Sequence, residues 1–97
     1  MTMLNPPHPG EFISDVYMEP FGYSCRFVAK KLDVSASTLN RILKGKSSIT
    51  PEMALRLSKA LGRTPESWLL MQDNYDLWQA KQNVNLAKVH PIDFVMA

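Results

Sequence analysis

SASTLNRILKGK, residues 35–46, opens with four small residues and ends with Arg41, Lys44 and Lys46. Its only large apolar side chains, Leu39, Ile42 and Leu43, stand at helical spacing. With Leu39 as the buried centre, a rotation of about 100° per residue puts Ser37, Arg41 and Lys44 on the opposite side. Thr38 and Asn40 fall at the edges of that side. Short polar groups let a helix backbone approach a ligand closely. Arg matches guanine with a forked hydrogen bond, and Asn does the same for adenine. The absence of acids suits a groove lined by phosphates. The pattern predicts a helix laid into the major groove of DNA.

The residues before it fit a helix-turn-helix at about 24–44. Such a unit needs a small residue where its helices cross, and Ala29 is there. Four positions later Asp33 occupies the turn, where a left-handed backbone is required and Asp is tolerated. Six positions beyond that comes apolar Leu39. The competing reading is a helical bundle whose exposed side happens to be basic. It leaves the avoidance of acids in this helix and in the following KGKSS loop without a reason.

The charge distribution points the same way. The net charge of +2 hides a basic middle. Residues 1–23 carry Glu11, Asp15 and Glu19 and no base. Residues 24–63 hold nine Lys or Arg against Asp33 and Glu52, and residues 64–97 hold four acids against two bases. A basic block between acidic flanks marks a site for a polyanion. The 97 residues, 45% hydrophobic and 21% charged, suit one globular domain. No apolar run approaches the roughly 20 residues of a membrane helix. The opening MTMLNPPHPGEF lacks the basic and apolar regions of a secretory signal. The lone Cys25 rules out an internal disulfide and fits a reducing compartment, so the expected location is the cytoplasm.

Five helices and no strand are expected. NPPHPG is extended or turn-like, and Phe12, Ile13, Val16 and Tyr17 predict a first helix over about 10–18, stopped by EPFG. Ser24 caps CRFVAKKL, which buries Val28, Ala29 and Leu32. Ser35 caps the next helix and Gly45 ends it. The last two helices both start with TPE, at 50–52 and 64–66, giving a cap, a first-turn proline and an acid on the helix dipole. Met53, Ala54, Leu57, Ala60 and Leu61 form the core stripe of one. Trp68, Met71, Tyr75 and Trp78 lie along one side of the other. Residues 1–82 read as the domain and 83–97 as a tail without clear periodicity.

HPGEFISDVYMEPFG, followed by AKKLDVSASTLNRILKGKSSITPEMALRLSKALGRTPESWLLMQDNYDLWQA, strongly resembles HigA-type antitoxins, a branch of the Xre-like helix-turn-helix proteins. The resemblance covers roughly residues 8–80. It implies an all-α, five-helix, lambda-repressor-like DNA-binding domain. It also implies a homodimer on a palindromic double-stranded DNA operator, repression of the protein's own operon, and a HigB-type toxin as partner. A stand-alone Xre-like regulator and a protein-interaction module that has lost DNA binding are the alternatives. Two departures stand out. Cys25 occupies the place where relatives carry a Gln that contacts phosphate and braces the recognition helix, and Asp33 replaces the usual turn glycine.

Carried onto this chain, the resemblance implies Ala36, Ser37, Thr38, Asn40 and Arg41 as base readers. It implies Arg26, Lys44, Lys46 and Ser47 as phosphate contacts. Ala36 could touch a thymine methyl or simply open the helix. The aromatic stripe has two readings, domain core or dimer seam, which makes Trp68, Tyr75 and Trp78 interface candidates. The tail reads as disordered or as a partner-binding segment. His8 and His90 have no ligand spacing around them and suggest surface or capping roles. No phosphate loop, nucleophile elbow or zinc motif occurs, so neither an enzyme nor a cofactor or metal is expected.

Overall fold

The computed structural model describes residues 5–95. The first four residues of the expected domain and the last two of the expected tail lie outside that range. Five helical segments follow in order, with no strand among the described residues. The first, α1, is composite. It runs as an α-helix over Pro9–Phe12, a π-helix over Ile13–Met18 and a 3₁₀ turn over Glu19–Phe21. Then come α2 (Cys25–Leu32), α3 (Ala36–Leu43), α4 (Pro51–Leu61) and α5 (Pro65–Asn83).

The expected regular first helix is therefore corrected. Pro20 has no N–H for the Val16 carbonyl, and its ring would crowd that carbonyl in an α-helix. The chain widens before it, the Glu19 N–H donating to the Ser14 carbonyl five residues back. It then tightens and turns at Gly22, which takes φ 65°. The extra residue shifts the register. Val16, one of the apolar residues at helical spacing, is 42% exposed, and Met18 is buried instead.

The expected caps are in place. The hydroxyls of Ser24, Ser35, Thr50 and Thr64 each accept an N–H from the first turn of the helix they precede. Asp33 adopts φ 58°, and the Val34 N–H reaches back to the Ala29 carbonyl at 3.0 Å, closing α2 as a left-handed cap does. The core gathers Ile13, Val28, Ala29, Leu32, Leu39, Ile42, Met53, Ala54, Leu57 and Trp68. Of the predicted α4 stripe, Ala60 is exposed and Leu61 only half-buried. Arg56 on α4 donates to the carbonyls of Leu32 and Asp33, at 3.0 and 3.1 Å, and so caps the C-terminal end of α2.

Candidate nucleic-acid interface

The geometry of α3 begins at its N-terminus. Ser35 Oγ accepts the Thr38 N–H at 3.0 Å and donates to Thr38 Oγ1 at 2.8 Å. Cys25 Sγ donates to the Ala36 carbonyl at 3.5 Å, so the thiol braces the first turn of α3. Leu39 and Ile42 are buried beneath the helix, while Ser37, Thr38, Asn40 and Arg41 are exposed. Ala36 separates from the other candidate base readers: it is half-buried and packs against the core.

The C-terminal end of α3 is held from three directions. Gly10 lies against its last turn so closely that an added Cβ would fall 1.8 Å from the Ile42 carbonyl oxygen. Gly45, at φ 73°, closes the helix, and the Lys46 N–H donates to the Arg41 carbonyl at 2.8 Å. The His8 ring sits under Gly45, 3.6 Å from where its Cβ would be. His8 Nδ1 accepts the Gly10 N–H at 2.9 Å, and Tyr75 meets the ring edge-on. His8 is thus a buried cap, and the surface reading for it is withdrawn. Burial pushes the His8 imidazole below its ordinary value, against the partly opposing pull of Asp76 and Glu11.

Beyond the helix, Arg41 Nε donates to Ser47 Oγ at 3.1 Å, tying a candidate base reader to a candidate phosphate contact. The same loop is anchored at Ile49, whose N–H donates to Gln72 Oε1 at 2.8 Å. Gln72 is buried and donates onward to Asp76 Oδ1 at 2.9 Å. Sequence reading passed over it because a lone Gln on an aromatic helix gives no sign of a carbonyl aimed at a distant loop. The exposed cations Lys44 and Lys46 flank one end of α3. Arg26 flanks the other, where a shallow cleft of about 480 Å³ separates α2 from the start of α3. Lys30 lines that cleft too and was missed, although it stands one helical turn after Arg26.

Of the interface candidates, Trp68 is corrected. It is fully buried, its Nε1 donating to the Gly62 carbonyl at 2.9 Å, and it offers nothing to a partner. Tyr75 and Trp78 are half-buried, their rings 6.3 Å apart. His90 is exposed. Among the described residues no three His, Cys, Asp or Glu side chains gather as a metal site, and no helix is long and apolar enough to cross a membrane.

Comparison with known proteins agrees with this geometry. Residues 17–69 match the family model described as helix-turn-helix. The HTH-type transcriptional regulator YddM of Escherichia coli (strain K12) is 35% identical over 89 residues, 92% of this chain and 94% of that protein. The structure of the antitoxin GraA superposes with a TM-score of 0.86 at 35% identity, covering 91% of this chain and 98% of that one. The Pseudomonas aeruginosa antitoxin HigA, solved with the higBA promoter, gives 0.82 at 30% identity, covering 95% and 100%.

Proposed function

This chain belongs to the Xre-like helix-turn-helix family, with HigA antitoxins among its relatives, and from that premise we propose that it is a DNA-binding antitoxin. In this reading it represses its own operon as a homodimer on a palindromic operator and neutralises a HigB-type toxin in the cytoplasm. One observation carries the DNA half: an exposed, acid-free polar face on α3, held at both ends and flanked by Arg26, Lys30, Lys44 and Lys46. Ser37, Thr38, Asn40 and Arg41 read base edges. The flanking cations hold phosphates and set the register, which base contacts alone would not fix. Ser47 orients Arg41, and Ala36 supports the helix start from below. We assign residues 1–82 to the DNA-binding unit and 83–97 to the tail.

The catalytic chemistry of the pair lies with the toxin; the antitoxin acts by binding. The likeness to YddM, named as a transcriptional regulator, favours the second reading, a stand-alone regulator without a toxin. Two assays separate them. The purified protein should protect a palindromic site upstream of its own coding region from nuclease digestion. Co-expression with the adjacent small reading frame should relieve the growth arrest that frame causes. Protection without relief would leave the regulator. Equal affinity for upstream and random DNA would overturn sequence-specific binding.

A further inference from the structure

α2 presents two different sides. Arg26 and Lys30 face the cleft at the start of α3, whereas Tyr23, Phe27 and Lys31 line a groove of about 800 Å³ against the C-terminal half of α4. Two exposed aromatics line this groove, Tyr23 and Phe27, whose rings meet at 4.8 Å, and Phe21 stacks on Tyr23 at 5.5 Å. Lys31 Nζ lies 5.5 Å from the Phe27 ring centre, and Lys59 stands on the α4 side. Arg56 is engaged by Glu52 and Asp33, but neither Lys31 nor Lys59 pairs with an acid among the described residues. The Arg56–Asp33 pair also lines the groove, which therefore joins an apolar wall and one internal ion pair to two cations that have no acid partner among the described residues.

The matching chemistry lies at the other end of the chain. Ile92, Phe94 and Val95 are 72%, 84% and 78% exposed, and Asp93 between them has no cationic partner among the described residues. We infer that the α2–α4 groove receives residues 92–95 of a second copy of this chain, with Phe94 on the aromatic wall and Asp93 between Lys31 and Lys59. Return of the chain's own segment to this groove leaves almost no slack. The groove ends at Leu61, beside the start of α5, and α5 carries the chain about 28 Å away before the tail begins. The nine residues from Asn83 to Ile92 would have to return fully extended, spanning at most about 32 Å. The turn in which the Val89 N–H donates to the Leu86 carbonyl shortens them further. Exchange between two copies satisfies both grooves and both tails in a closed, two-fold arrangement.

The inference rests on the two-copy reading of the proposed function and on none of its DNA or toxin contacts. Its test mixes full-length chains carrying Ala60→Cys with full-length chains carrying Val95→Cys, distinguished by a tag. Diamide oxidation is followed by non-reducing electrophoresis and peptide mapping, with the parent protein controlling for Cys25. A 60–95 link between different chains is expected. Asp93→Lys should lower its yield about threefold or more, and adding Lys31→Glu with Lys59→Glu should restore it. Light scattering on the unoxidised parent separates the failures. A dimer with no such link overturns the exchanged tail and leaves the two-copy reading standing. A monomer overturns both.

Discussion

α3 and α5 solve opposite problems. α3 has eight residues and is fixed by groups outside itself: Ser35 and Cys25 at its start, Gly10, His8 and the loop anchored by Gln72 at its end. α5 has nineteen residues and takes its place from its first turns, where Trp68 and Gln72 are buried. Past Gln72 it has no fully buried residue, and Leu77 turns outward. For the groove-reading role proposed for α3, a helix must be positioned to a fraction of an ångström while leaving its polar face bare, and here the rest of the fold holds it. A helix that presents apolar surface needs only a firm root.

The largest break in this contrast should come at the root of α5. Trp68→Ala removes a fully buried indole and its bond to Gly62, and is expected to cost about 3–5 kcal/mol in denaturant unfolding. Leu77→Ala, on the outer half of the same helix, should stay within about 0.5 kcal/mol in dilute protein. A large loss at Leu77 would mean that the outer half is part of the folded unit's own core.

Next comes the clamp on α3. Gly10→Ala drives a Cβ into the Ile42 carbonyl, where only backbone could yield, and should cost about 3 kcal/mol. Wild-type stability for that variant would show that the close approach is dispensable. The reading face itself is sharpened by binding. Arg41→Ala should lose about 1–3 kcal/mol at the cognate site and relax its sequence preference. Lys44→Ala should weaken binding to all DNA and flatten the salt dependence. Equal weakening by Arg41→Ala on cognate and random DNA would remove Arg41 from base reading.

The smallest effect is that of pH on the His8 cap. The folded chain holds the imidazole neutral, because Nδ1 must accept the Gly10 N–H and burial disfavours the charge. The unfolded chain takes up its proton near the ordinary value of about 6.5. Stability from this residue is therefore complete above that value and declines as the pH falls below it. Comparing unfolding midpoints at neutral and mildly acidic pH should show the decline in wild type. It should be reduced in His8→Asn, which keeps a cap acceptor and does not titrate.

What the sequence disclosed was local. Ser24, Ser35, Thr50 and Thr64 declare helix starts because a cap acts within three residues of itself. Ala29, Asp33 and Leu39 were legible for the same reason: a turn and a crossing fix their spacing. The clamp was not, because Gly10 meets Ile42 across 32 positions, and nothing in HPG says which backbone it will touch. The widened turn before Met18 stayed hidden too. Apolar spacing assumes an α-helical period, which Pro20 breaks from downstream. Trp68 was divided between core and interface because an aromatic stripe looks the same in either, and only its burial chose.

The bond between Ile49 and Gln72 also sets an order of events in synthesis. A chain leaving the ribosome presents α2 and α3 well before the residue that secures the loop behind them. Only when α5 has emerged can Gln72 take the Ile49 N–H and Tyr75 close on His8. The geometry of α3 is thereby tied to a nearly finished polypeptide, and prematurely terminated products that end in α4 lack the parts that hold it. Under the proposed function, such fragments are expected not to compete with intact protein for DNA.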